Sequence, residues 1–393
     1  MKTEKIRKIK DNAILILWTI LLTVFFSFLF SRQAISYNNE YASDLPALID
    51  AAVKGKNASM LFFVIRRLLE LTHDFLYAIA LFEGLIAALT WTFTALYIEK
   101  YYSFKRWAAM LCALFPMFLT SVPVPLFRKY FADSLVAQPW HNITYLAMRL
   151  FAVPALYFFM EMYRICQEEK RISLKHWVLA CGFLSLSTNI NPGFFMVFSV
   201  TLLIFLLKDL LEKRSSLKDI ILMGSAAVPS FILICVQYAL LKMQDSGYHI
   251  NVGISALFLQ DGARAFVMRF VTGLFLPVLV LWFNRKRLTR SVIFVYAAYA
   301  VSIIEAVFLT ESGERLYLGG FMWGMYAFAF LLYMLILPLM AENVCEYIRG
   351  RGWQKSDIRQ NAYIVIVCVL VIAHAVSGMQ YYHILLRGID FYI

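Results

Sequence analysis

Long apolar segments alternate with short polar connections along the whole chain. A spanning helix needs roughly 20 mainly apolar residues. About eleven stretches reach or approach that length: residues 14–30, 75–98, 107–127, 142–163, 174–189, 192–207, 218–241, 265–283, 291–310, 319–340 and 361–379. The pattern predicts an all-α polytopic membrane protein, a single integral membrane domain over residues 1–393 with no room for a soluble catalytic domain. The first run follows a basic segment, MKTEKIRKIK, and ends in bulky Phe28, Leu29 and Phe30 without a small-residue cleavage pattern. It is expected as a retained helix rather than a cleaved signal peptide.

The fifth and sixth segments are short and meet at Ser187-Thr188-Asn189-Ile190-Asn191-Pro192-Gly193. Proline lacks a backbone donor and disfavours helix in the residue before it, so the chain breaks there. The break is either a tight hairpin or a pair of re-entrant helices around a polar cavity, and the charge pattern favours the hairpin. Two connections are long. Residues 31–74 predict two short helices lying along the membrane surface. One covers Leu45–Val53, with Ser43 or Asp44 near its start and Pro46 in its first turn. The other covers Ser59–Leu71, with Leu61, Phe62, Ile65, Leu68 and Leu69 on one face and Arg66, Arg67 and Glu70 on the other. Residues 242–264 have the length of a small lid.

Of the residues, 61% are hydrophobic, beyond the roughly 45–50% of soluble domains, so lipid must cover the excess. The net charge of +12 has a positional cause: 24 of the 37 Lys and Arg lie in the N-terminal segment and in alternate connections. Basic residues in short connections mark the cytoplasmic side, which puts the N-terminus inside and, with an odd number of spans, the C-terminus outside. Nucleic acid is thereby excluded as the explanation of the charge. Cys112, Cys166, Cys181, Cys235, Cys345 and Cys368 form no CxxC pair, so neither a disulfide framework nor a zinc site is indicated.

The other side carries the candidate chemistry. Glu40 and Asp44, four residues apart, are candidates for general-base work on a substrate hydroxyl; alternatively Asp44 caps a helix and Glu40 is solvated. Arg66, Arg67 and Arg128 would suit an anionic lipid phosphate, as would Arg149 within its span; snorkelling at the interface accounts equally for each one alone. Late in the chain, TESGERLYLGGFMWG brings Glu311, Glu314 and Arg315 to one turn, after Glu305 in a span and before Trp323. Arg315 either holds a phosphate through charged hydrogen bonds or pairs with a neighbouring glutamate, and Trp323 is an interfacial anchor or a sugar platform.

Three segments, SDLPALIDAAVKG, NPGFFMVFSVTLLIFLL and GERLYLGGFMWG, resemble the multi-spanning glycosyltransferases of the GT-C class, which use polyprenyl-phosphate sugars. The resemblance implies a GT-C-like membrane enzyme with a cavity facing away from the cytoplasm of a bacterial plasma membrane. It implies Asp44 as the acidic residue that activates the acceptor, with Glu311, Glu314 and Arg315 across the cavity. The expected partners are a lipid-linked sugar, membrane lipids and a cell-envelope acceptor. A divalent metal is compatible with these carboxylates, though their spacing demands none. Related sequences often carry a histidine shortly after Asp-Leu-Pro where this chain has Leu48, which points to altered metal use, a different substrate or a noncatalytic relative. A flippase or transporter of lipid-linked glycans, and a polysaccharide polymerase or ligase, remain open beside the glycosyltransferase.

Overall fold

A computed structural model describes residues 2–35, 49, 52–54, 59–72, 74–120, 143–244, 247–255, 271–312, 320–349 and 358–387. The order is α1 (Lys2–Ile35), α2 (Met60–Leu71), α3 (Phe75–Tyr101), α4 (Arg106–Phe118), α5 (Ile143–Glu169), α6 (Leu174–Ile190), α7 (Gly193–Leu211), α8 (Leu217–Ser225), α9 (Val228–Gln244), β1 (Ile250–Val252), α10 (Val271–Asn284), α11 (Arg290–Phe308), β2 (Leu309–Glu311), α12 (Met322–Arg349) and α13 (Ile358–Arg387). Among the described residues seven helices are long and apolar enough to cross a membrane, or eight if the bent pair α8–α9 counts as one span. The chain is an all-α polytopic membrane protein, with one small ribbon added.

The helix α12 is the axis of the bundle: every residue from Gly324 to Met340 is buried, as a helix that is apolar all round must be. An aromatic seam joins it to its neighbours, Phe194 stacking on Phe328 at 5.1 Å and Phe198 meeting Phe159 at 5.0 Å and Phe294 at 5.4 Å. At the start of α7 the packing is backbone on backbone. A β-carbon on Gly193 would fall 2.8 Å from the Gly324 nitrogen, so the turn that opens α7 can touch α12 only without a side chain. By contrast α1 is peripheral and exposes Ile16, Leu17, Ile20 and Val24, the surface that lipid covers. It is longer than the apolar run 14–30 because the Lys and Arg residues that dominate the segment before it are good helix formers.

All the described basic connections gather at one end, which we call the basic end. Lys170 donates to the Arg214 carbonyl at 3.2 Å, joining the α5–α6 and α7–α8 turns. Tyr101 hydrogen-bonds Thr289, joining the α3–α4 and α10–α11 turns. Arg106 pairs with Glu99 at 2.5 Å and reaches Asn12 of α1 at 3.1 Å, and Arg287 pairs with Glu346 of α12 at 2.6 Å. Two buried polar groups lock this end. Asp209 of α7, fully buried, accepts from Tyr163 of α5 and pairs with Arg290 of α11, whose guanidinium also lies 5.0 Å from the Tyr163 ring. Asn343 of α12 donates to Asn284 at 2.7 Å, and Asn284 donates to Tyr363 of α13 at 2.9 Å.

Two expectations need correction. The predicted span 107–127 is not one helix, since α4 ends at Phe118 and Leu119 is extended; Pro123 and Pro125 follow. The predicted span 218–241 bends by 48° between α8 and α9, where Pro229 cannot donate to the preceding turn. Within the connection 242–264, expected to have the length of a small lid, β1 pairs antiparallel with β2, Ile250 opposite Glu311 and Val252 opposite Leu309. That ribbon also holds the connections after α9 and after α11 at the same end, opposite the basic one.

The break between α6 and α7 lies at the ribbon end as a turn between two helices. Asn191 caps it, its Oδ1 accepting from the Gly193 nitrogen at 2.9 Å and its Nδ2 donating to Thr144 at the start of α5 at 3.5 Å. Asn189 accepts from the Met60 nitrogen of α2 at 2.6 Å. The predicted surface helix Ser59–Leu71 is α2, with Ser59 as its cap and Leu61, Phe62 and Ile65 buried. Of the predicted helix Leu45–Val53 only Ile49, Ala52 and Val53 are among the described residues.

Candidate functional site

The short helix α4 creates the site. Thirteen residues make a helix about 20 Å long, against roughly 30 Å of hydrocarbon. Its C-terminal carbonyls therefore finish inside the bundle and need donors. Helix α13 supplies them. Tyr382 donates to the Met117 carbonyl at 2.6 Å, and His374 Nδ1 donates to the Thr120 carbonyl at 2.7 Å, which fixes that histidine tautomer. The Thr120 nitrogen returns a bond to the His374 carbonyl at 3.3 Å, and the Thr120 and Ser377 hydroxyls meet at 2.8 Å. Residue 378 must be glycine, because a β-carbon there would fall 1.4 Å from the Phe118 carbonyl oxygen. The neighbouring helices continue past this point; residues 121–142 lie outside the described residues.

Arg149 of α5 faces this region. It is 1% exposed, so it does not snorkel. Its Nη2 donates to the Tyr326 carbonyl of α12 at 3.3 Å, and its guanidinium lies 4.9 Å from the Tyr145 ring and 5.0 Å from the Phe330 ring. Tyr382 of α13 is within electrostatic reach. Cations held over ring faces in a dry setting gain about 2 kcal/mol or more, which helps a buried guanidinium to stay charged. Trp323, half-buried, stacks on Tyr145 at 5.5 Å and meets Tyr326 edge-on at 5.9 Å. It thus continues the aromatic wall towards the ribbon end.

Two carboxyls border the same region. Glu311, at the end of β2, is buried; it accepts from Tyr248 at 3.0 Å and lies over Gly320, three residues before Trp323. Glu83 of α3 is 5% exposed, and no ion pair or hydrogen bond is made by it among the described residues. Trp91 Nε1 donates to the Met110 carbonyl of α4 at 3.2 Å, and eight residues further along these antiparallel helices are Glu83 and Phe118. Glu83 is therefore level with the end of α4. It is also within about 40° of the face on which Tyr97 meets Tyr157 of α5. The helical register thus turns it towards the bundle interior, between α4 and α5.

Of the residues singled out by sequence, Trp323 joins the aromatic wall beside Arg149 through Tyr145, and Glu311 lies against Gly320, three residues before Trp323. Arg66 and Arg67 lie exposed on α2, pairing with Glu70 at 3.4 and 2.6 Å. Glu305 is half-buried in the last turns of α11. Glu40, Asp44, Arg128, Glu314 and Arg315 lie outside the described residues. Sequence reasoning missed Glu83, although one carboxyl inside FLYAIALFEGLIAALTW is the signal of an intramembrane polar site. It also missed the docking of His374, Ser377 and Gly378 on α4, for which sequence offers no signal. Among the described residues no three His, Cys, Asp or Glu are placed to hold a metal ion.

Comparison with models of known protein families, with curated proteins and with solved structures returned no match.

Proposed function

We propose that the chain is a GT-C-like membrane glycosyltransferase of about eleven spans that transfers a sugar from a polyprenyl-phosphate donor to a cell-envelope acceptor. In this reading the basic end is cytoplasmic, the ribbon end is extracytoplasmic and the membrane is a bacterial plasma membrane. The observation that carries the proposal is Arg149: a fully buried guanidinium beside an aromatic wall, at a depth where a helix stops short. A donor of this class has a long apolar tail, one phosphate and one sugar. It needs a cation within reach of the membrane, rings on which a sugar can stack, and carboxyls for its hydroxyls.

The acceptor hydroxyl attacks the anomeric carbon, the bond from that carbon to the phosphate oxygen breaks, and the hydroxyl proton passes to a carboxylate. Asp44 takes that role by resemblance, and Glu40, four residues before it in sequence, is the other candidate. Polyprenyl phosphate leaves with the electron pair, and Arg149 stabilises the charge that grows on it, with Arg315 as a second candidate. Preorganised donors of this kind act most strongly where water is excluded.

A second reading, a flippase for lipid-linked glycans, draws on the short α4 and the bent α8–α9 pair, since carriers often use interrupted helices. Purified protein in liposomes, given a polyprenyl-phosphate sugar and an acceptor panel, separates the two readings by mass spectrometry. Transfer is expected to release polyprenyl phosphate and to vanish in Asp44→Asn at unchanged folding. Retained turnover in that variant removes Asp44 from the chemistry, and lipid movement without sugar transfer selects the flippase.

A further inference from the structure

The ribbon has a property that its place beside Glu311 does not require. β1 and the residues after it expose apolar side chains, Ile250 at 42%, Val252 at 86% and Ile254 at 56%. From Gly247 to Gln260 the sequence contains no Asp, Glu, Lys or Arg. An extramembrane loop normally turns polar groups outward, so a solvated loop is a poor account of this composition.

Hydrogen bonding places the segment in depth. The Gly253 nitrogen donates to the Phe308 carbonyl at 2.9 Å and the Ser255 nitrogen to the Val307 carbonyl at 2.8 Å. The chain after β1 thus runs back beside the last turn of α11 and takes up carbonyls that the helix end leaves without partners. α11 has 19 residues, about 28 Å, and starts at Arg290 in the lock of the basic end. Its last turn therefore lies near the far limit of roughly 30 Å of hydrocarbon. The side chains nearest that turn, Ile304 at 58% and Phe308 at 49%, are themselves exposed on a spanning helix and so face lipid. Val252 and Ile254 continue that apolar surface.

Irregular backbone survives next to hydrocarbon only if its polar groups are paired. Here one edge of β1 is paired with β2, and Gly253 and Ser255 donate to the end of α11, while the other edge needs the partners that lipid carbonyls and water supply at the glycerol level. We propose that Val252–Ile254 is an anchor inserted into the leaflet at the ribbon end, its occupant being the acyl chains and glycerol region of that leaflet's lipids. The ribbon is then a lip held by the protein at Tyr248 and His249 and by lipid from Val252 onward along the same strand. On the protein side His249 donates its backbone N–H to Ser312 at 2.8 Å and accepts from the Ser312 nitrogen at 3.0 Å, while Tyr248 binds Glu311. The inference requires only that the bundle spans a bilayer, and it stands or falls separately from the transferase reading.

The test places an environment-sensitive fluorophore at Val252→Cys or Ile254→Cys in the full chain, with the six native cysteines replaced by alanine, in phosphatidylethanolamine–phosphatidylglycerol nanodiscs. Doxyl-labelled lipid is expected to quench both positions more than aqueous iodide does, as at the lipid-facing control Phe231→Cys and opposite to the water-facing control Arg171→Cys. Hydroxyl-radical footprinting of the unlabelled protein in the same nanodiscs covers the case in which the label disturbs the ribbon; Val252 and Ile254 are expected to be oxidised several-fold more slowly than the 170–173 turn. Iodide quenching equal to that at Arg171→Cys overturns the anchor, and so does protection from both quenchers, which would mean that protein covers the strand.

Discussion

Replacing Asp209 with alanine tests whether the basic end is held as the geometry indicates. The carboxylate is fully buried on α7 and serves two helices at once, accepting from Tyr163 of α5 and pairing with Arg290 of α11. Removing one partner of a buried pair typically costs about 3–5 kcal/mol, because the other charge is left uncompensated. The Arg290 side chain keeps 29% exposure, so water recovers part of that and the lower figure applies; the stranded Tyr163 hydroxyl adds about 1 kcal/mol. We expect Asp209→Ala to lose about 3–4 kcal/mol, read from reversible unfolding of the purified protein in mixed micelles. Tyr163→Phe should lose about 1 kcal/mol. The Asp209 backbone carbonyl, which accepts from Arg214 and Ser215, is untouched by either change, so the turn it closes is a built-in control. In a double-mutant cycle with Arg290→Ala the paired loss should fall short of the sum by at least about 1.5 kcal/mol. Additivity within about 0.5 kcal/mol would refute the coupling.

Other perturbations address the opposite end. Arg149→Met should change unfolding free energy by less than about 1.5 kcal/mol, since an apolar side chain of similar length replaces a costly buried charge, while lowering sugar transfer at least about 100-fold; stability and turnover falling together would reduce Arg149 to a structural part. Glu83→Gln should leave unfolding unchanged, because no described ion pair is broken, and should weaken protection of the protein by donor lipid in limited proteolysis; unaltered protection would leave Glu83 without a role in binding. Gly378→Ala forces a β-carbon into the Phe118 carbonyl and should cost about 3 kcal/mol or more by the same micelle assay; a loss below about 0.5 kcal/mol would mean that α4 does not end against α13. For orientation, Asn251→Cys should react with a membrane-impermeant maleimide in intact cells and Arg171→Cys only after permeabilisation, and the reverse pattern would invert the topology.

The alternation of apolar and basic stretches carried most of the architecture, because lipid imposes a length and a composition on each span that few soluble folds share. The helices from 75 to 101, 143 to 169, 193 to 211, 290 to 308, 322 to 349 and 358 to 387 follow from it, as does α2 from its five-residue apolar face. Where a helix stops inside the bundle was not legible. Pro123 and Pro125 speak for a break within 107–127, but the stop at Phe118 itself depends on donors that α13 contributes from more than 250 residues away. Arg149 and Arg67 look alike in sequence as basic residues among apolar ones. Only tertiary packing makes the first a buried cation between rings and leaves the second on a surface helix beside Glu70. The ribbon was likewise hidden, since three-residue strands rest on partners distant in the chain.

The two ends of the bundle are built for different tasks. At the basic end the charges and amides are paired between helices: Asp209 with Arg290, Glu99 with Arg106, Asn284 with Asn343 and Tyr363. Such networks fix helix positions and leave little to bind a ligand. At the ribbon end α4 stops short, and the turn at Pro192 adds irregular backbone against the start of α5, the helix that carries Arg149. Irregular backbone and ionisable side chains in a membrane protein occur where protein or a wet cavity surrounds them. A transferase and a flippase would both need that end, and they differ in what the opposite end must do. A carrier has to open both ends in turn, so the Asp209 lock would have to break in every cycle, whereas a transferase can leave it closed. A chemical crosslink of α5 to α7 at that level, made with Asp209, Tyr163 and Arg290 kept, should therefore spare transfer and abolish lipid movement. Lipid movement that survives the crosslink would show that the lock is no gate.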